Sequence, residues 1–76
     1  NLQFSIFPNP ANETVIITAF EKGNYNYELI NITGEIVANG VGESNTEIDL
    51  LSLKSGIYFI KIRSKNENAC YKLIKN

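Results

Sequence analysis

Histidine and tryptophan are absent from this 76-residue chain, and cysteine and aspartate occur once each, as Cys70 and Asp49. Each shortage excludes something. Without histidine the commonest general base and metal ligand is missing, and no serine has a Ser–His partner. A lone cysteine forbids a disulfide within the chain, and Cys70 falls in a predicted strand, as filler or a half-exposed thiol rather than a reactive centre. No cluster of carboxylates has ligand spacing and no glycine-rich loop precedes a helix, so no catalytic residue, metal site or cofactor is assigned. No apolar run approaches the length that crosses a bilayer, and no transmembrane segment is expected. Without tryptophan, and with the tyrosines mostly predicted inward, a flat aromatic platform for a carbohydrate is missing. Phe59 and Tyr71 are the rings nearest the basic residues, too few for a nucleic-acid groove.

What is present describes a folded domain. A content of 43% hydrophobic and 20% charged residues is that of a globular protein rather than a disordered tail. One domain over residues 1–76 is expected, of modest stability, because a domain this small buries only about 60% of its unfolded surface. The chain starts at Asn1 with neither a Met nor a basic-then-apolar export segment, so a piece of a longer precursor is expected. The net charge of −1 hides an asymmetry: up to Leu53 seven acids face Lys22 alone, and from Lys54 onward six bases face Glu67 alone. Such a bias marks a partner surface, or else oppositely charged strands neutralise one another across the fold.

The chain is organised around the stretch from Leu53 to Ile62. Gly56 marks a tight corner where the backbone needs a positive φ. Beyond it Tyr58, Ile60 and Ile62 share one face at period two, and Ile57, Phe59, Lys61 and Arg63 share the other. Such a strand belongs in the middle of a sheet. Before it, Phe4 to Phe7 reads as a short strand stopped by Pro8-Asn9-Pro10. Thr14 to Phe20 and Tyr25 to Asn31 follow as strands, the second with Tyr25, Tyr27 and Leu29 inward. Gly34 is a hairpin glycine, with Ile36 to Ala38 as the return strand. Asn39 to Gly42 reads as a loosened segment before a strand from Thr46 to Leu50. The turn Asn66-Glu67-Asn68 leads to a last strand, Ala69 to Lys75. An even number of loop residues puts Tyr71 and Leu73 on the face of Ile60 and Ile62, whereas an odd number would bury Lys72. Seven short strands, with turns every eight to twelve residues and no helical periodicity, predict an all-β, immunoglobulin-like antiparallel sandwich. The expected core is Val15, Ile17, Tyr27, Leu29, Ile48, Leu50, Leu53, Tyr58, Ile60, Ile62 and Leu73.

Two resemblances follow from these residues. Leu53, Gly56 and Tyr58 resemble the tyrosine corner of immunoglobulin-like sandwiches, in which a tyrosine hydroxyl bonds backbone a few residues upstream, here near Leu51 to Leu53. Four pieces in order cover nearly the whole chain: Phe7 to Ala11, Tyr27 to Val37, Ile48 to Tyr58, and Lys72 to Lys75. Together they resemble the type A C-terminal sorting domain of the type IX secretion system of Bacteroidetes. The resemblance implies a non-catalytic targeting module at the end of a secreted cargo joined in cis. Such a domain addresses its cargo from the periplasm to the outer-membrane translocon of a Gram-negative bacterium. A sortase-like cysteine protease then often removes the domain and joins the cargo to the cell surface. The family's glycine–aromatic motif maps to Gly56, Ile57 and Tyr58, and its basic–apolar terminus to Lys72, Leu73, Ile74 and Lys75. Ser55 stands where a proline often precedes the motif glycine, and Asn31 where an aspartate is common.

A signal of this kind needs a persistent surface. Ile57, Phe59 and Ile74 are expected to lie outward beside Lys61, Arg63 and Lys72, an apolar stripe with a basic rim. Leu73 and Lys75 complete the expected recognition set, with Lys75 near a frayed end. The last strand is expected near a sheet edge, where its main chain is available to a partner. The alternative is an accessory sandwich, resembling fibronectin type III or a carbohydrate-binding module, that stays on its cargo.

Overall fold

The computed structural model describes residues 4–20, 22–65 and 67–76. Among them are seven strands and no helix: β1 (Phe4–Phe7), β2 (Thr14–Ala19), β3 (Asn24–Asn31), β4 (Ile36–Glu43), β5 (Asn45–Asp49), β6 (Gly56–Ser64) and β7 (Asn68–Lys75). They form two antiparallel sheets, ordered β1-β2-β5 and β4-β3-β6-β7. Lettered A, B, C, C′, E, F and G, these are the ABE and GFCC′ layers of an immunoglobulin-like sandwich, as the strand count predicts. β6 lies between β3 and β7, a central position that suits a strand apolar on both faces at its start.

Period-two alternation builds the core. Val15, Ile17, Leu29, Ile48, Leu50, Tyr58, Ile60, Ile62 and Leu73 are buried, as expected. Tyr27 and Leu53 are only partly buried and pack against that cluster. Phe4 and Ala11 join the core without having been foreseen, Phe4 meeting Tyr25 edge-on with centroids 5.4 Å apart. The last hairpin has the even parity argued above: Ile60 pairs with Tyr71 and Tyr58 with Leu73. Its turn is closed by Ser64, whose N–H donates to the Glu67 carbonyl at 2.8 Å; Asn66, part of the predicted turn, lies outside the described residues.

The segment Asn39–Gly42 corrects the sequence reading. It is not loose, because β4 runs unbroken to Glu43. Gly40 pairs with Tyr27 and Gly42 with Tyr25. The tyrosine rings occupy the space that side chains at the glycines would fill: a Cβ on Gly42 would meet the Thr46 hydroxyl and lie 2.7 Å from the Tyr25 ring. Glycine here makes room for an aromatic neighbour, which compensates for its weak strand preference. The chain then passes from one sheet to the other through Ser44, at φ 59°. The Tyr25 hydroxyl holds this crossing, donating to the Ser44 carbonyl at 3.0 Å and sharing a 2.6 Å hydrogen bond with the Thr46 hydroxyl.

The tyrosine corner is present but its acceptor differs from expectation. The Tyr58 hydroxyl donates to the carbonyl of Lys54 at 2.7 Å rather than to backbone at Leu51–Leu53. The earlier stretch forms a turn of its own: the Leu51 N–H donates to the Asp49 carboxylate at 2.9 Å, and the Leu53 N–H to the Leu50 carbonyl at 3.0 Å. The sole aspartate is thus a turn former. Gly56 has φ +151°, and nothing stands within 4 Å of where its Cβ would be. Tyr58→Phe is therefore expected to cost about 0.5–1.5 kcal/mol. Gly56→Val should cost about 1–3 kcal/mol from backbone strain alone. Denaturant melts check both, and wild-type midpoints for the pair would remove the corner as a source of stability.

Candidate docking surface

The candidate site is the outer face of β6 and β7. Because side chains alternate, the residues opposite Tyr58, Ile60 and Ile62 emerge together. In register they form the pairs Ile57–Ile74, Phe59–Lys72, Lys61–Cys70 and Arg63–Asn68. Ile57, Phe59 and Ile74 keep 41%, 36% and 38% of their surface exposed, so no loop among the described residues covers the stripe. Lys61, Arg63 and Lys72 are exposed beside them. β3 extends the face, with Ile30 beside Phe59 and Glu28 beside Lys61. One end is therefore apolar and the other polar. The polar end holds a groove of about 350 Å³ whose walls include Asn26, Glu28, Lys61, Arg63, Asn68 and Cys70.

Two expected recognition residues do not belong to this face. Leu73 is fully buried, and a partner cannot touch it in the folded domain. Lys75 shares Leu73's parity and so points to the opposite side of β7 from Lys72. It is half-buried and not at a frayed end, since it pairs with Gly56 on one side and bridges Ala11 on the other. A six-residue exposed set remains: Ile57, Phe59, Lys61, Arg63, Lys72 and Ile74.

What holds the end of β7 is the segment between β1 and β2, which sequence reasoning treated as a mere stop. Both peptide bonds preceding Pro8 and Pro10 are cis. Asn9 between them behaves as a strand residue made from a side chain. Its amide donates to the Lys72 carbonyl at 2.8 Å, and its Oδ1 accepts from the Ile74 N–H at 3.1 Å. Ala11 continues the pairing: its N–H donates to the Ile74 carbonyl at 2.7 Å, and its carbonyl accepts from the Asn76 N–H at 2.8 Å. The signal for this was visible only in part: Asn9 flanked by prolines, which lock the backbone and leave the side chain to do the bonding.

Two further anchors fix the face. The Tyr71 hydroxyl donates to the Phe4 carbonyl at 2.9 Å, linking β7 to the other sheet. Burial, with the Glu67 carboxylate second, pushes the Tyr71 phenol above its usual pKa. At the β3–β4 turn, Gly34 sits at φ +93° and Asn31 organises the loop. The Asn31 Oδ1 accepts from the N–H groups of Thr33 and Glu35 at 3.1 and 2.9 Å, and its amide donates to the Glu35 carboxylate at 3.0 Å. That last bond needs an amide; an aspartate there would set two carboxylates together. Asn31 is a turn residue in this fold, remote in role from any charge-based recognition.

The charge asymmetry is spatial as well. Glu47 and Asp49 are exposed on β5, facing away from the core on the three-stranded sheet, whereas Lys61, Arg63 and Lys72 face away on the four-stranded sheet. With the core between them these groups do not neutralise one another at contact range; Glu28, opposite Lys61 on β3, is an acid that shares the basic face.

Compared with known families, the chain matches the model described as "Secretion system C-terminal sorting domain" over residues 5–76. No curated protein matches it.

Proposed function

Because the chain belongs to the family of secretion system C-terminal sorting domains, we propose that it is the non-catalytic address of a cargo protein joined to its N-terminal side. It directs that cargo from the periplasm through the type IX outer-membrane translocon, for release or for attachment at the cell surface after removal by a sortase-like cysteine protease. The translocon reads the outer face of β6 and β7. The observation that carries this reading is the exposure of Ile57, Phe59 and Ile74 beside Lys61, Arg63 and Lys72, on strands held rigid by the core. An apolar centre with a basic rim is the composition of a docking site more than of a solvated face.

The test is a periplasmic reporter followed by residues 1–76, in a host with type IX machinery. The wild-type fusion should appear outside the cell. Arg63→Glu with Lys72→Glu, both exposed and neither paired with an acid in the ladder, should shift stability by no more than about 0.5 kcal/mol each and leave the reporter in the periplasm. Normal export of that folded variant would mean that charge is not read. No export of the wild-type fusion would overturn the sorting role and favour an accessory binding sandwich.

A further inference from the structure

β7 is an edge strand, and among the described residues its outer edge is covered over only half of its length. The segment containing Asn9 and Ala11 occupies that edge from the Lys72 carbonyl onward. Bonding direction alternates along an antiparallel strand. Ile74 turns both its N–H and its carbonyl to the outer edge, so Asn68 and Cys70, of the same parity, do so as well. Among the described residues no strand pairs with them there. The open stretch Asn68–Lys72 is about 15 Å long, at about 3.3 Å per residue. Edges are ordinarily blunted by proline, charge or a covering loop, and this half has only Lys72.

The polar groove adjoins that same half. Cys70 and Asn68 are short side chains, and behind them stand Lys61 and Arg63, their cross-strand partners on β6. A strand added beside β7 would lie about 10 Å from β6, two strand spacings. A carboxylate on its outer side would reach over Cys70 and Asn68 toward the Lys61 ammonium and the Arg63 guanidinium. The other edge strands offer no such match, since β1 and β4 contain no lysine or arginine and β5 carries Glu47 and Asp49.

We infer that residues Asn68–Lys72 accept an extended acidic segment of a partner protein as an added strand, its main chain pairing with Asn68 and Cys70 and its carboxylates meeting Lys61 and Arg63. This rests on the docking face proposed above and makes it more specific: the partner is acidic and extended, and it docks on the first half of β7, because the second half is already closed by Asn9 and Ala11. Cys70 serves through its main chain and small size, with no role for the thiol.

The experiment titrates isotopically labelled residues 1–76 with an octapeptide of alternating glutamate and threonine, read by amide chemical shifts. The largest shifts are expected at Cys70 and its neighbours in β7 and at Lys61 and Arg63. Affinity should fall as salt rises from about 0.05 to about 0.5 M. Lys61→Gln with Arg63→Gln should weaken binding roughly tenfold or more. Cys70→Ser should bind as wild type. Cys70→Pro, which removes an outward N–H where an edge strand tolerates proline, should stay folded and lose binding. If that variant unfolds, N-methylation of alternate peptide residues removes the same pairing from the other side and should abolish binding. Absence of shifts, equal binding of a lysine–threonine octapeptide, or full binding by the N-methylated peptide overturns the inference. The titration does not involve export, so its failure leaves the sorting role standing, and failed export with intact binding sinks only the sorting role.

Discussion

Gly42→Ala is expected to lower stability by about 2–4 kcal/mol, from overpacking plus disturbed hydrogen bonds. A single methyl is enough because its neighbours have nowhere to go. The new Cβ would press on the Thr46 hydroxyl and the Tyr25 ring, and that ring is buried against Phe4. Moving Tyr25 would also pull its hydroxyl from the Ser44 carbonyl, at the crossing between sheets. Gly40→Ala supplies the control. Its Cβ would meet the Tyr27 hydroxyl at 2.7 Å, but Tyr27 is only partly buried and free to lean outward. Its cost should stay within about 1 kcal/mol. For a domain of this size the difference between the two amounts to at least about 4 °C in midpoint, at about 4–8 °C per kcal/mol. Equal thermal midpoints for the two variants would refute the account of glycine as space for tyrosine.

Leu73→Ala should cost about 2–5 kcal/mol, the transfer term plus the cavity left behind. Leu73 is wholly buried and pairs across the ladder with Tyr58, next to the corner. A domain of this length has a total stability of about 4–11 kcal/mol, so the variant should lose a large share of it and melt at a clearly lower temperature. Export of a fused reporter should fail with it. Ile74→Ala, one residue along and on the other face, should cost no more than about 1 kcal/mol, since it is partly exposed and pairs with Ile57. The pair separates folding from recognition: loss of export by an Ile74→Ala domain that still melts well above the assay temperature assigns the side chain to docking. A Leu73→Ala domain as stable as wild type would contradict the packing described here.

The sequence reading succeeded where one local rule was enough. Alternation in β2, β5 and β6 placed Val15, Ile17, Ile48, Ile60 and Ile62 inside, and the cost of burying Lys72 chose the hairpin parity that brings Tyr71 opposite Ile60. It failed where the deciding partner lies far along the chain. Gly40 and Gly42 read as loop residues because the tyrosines that cover them are fifteen or so residues earlier, on another strand. Local pattern puts Ala11 in no strand and not in the core, because its pairing with Ile74 and Asn76 joins opposite ends of the sequence.

For the docking face, the split was the same. Composition by itself excluded histidine-based catalysis and an internal disulfide, since those need residues the chain does not have. Period two by itself determined that Ile57, Phe59, Lys61 and Arg63 share a face, because a strand can turn successive side chains in only two directions. Which of the last residues a partner can reach was decided by the tertiary structure. Leu73 is lost beneath the opposite sheet, and Lys75 is turned away and bridged by Ala11. Among the described residues the edge of β7 is open over its first half, and it is closed over its second because Asn9, held between two prolines, reaches sixty-three residues along the chain to the Lys72 carbonyl. No local pattern encodes that contact; it exists only once both sheets have packed and brought the first connector against the last strand.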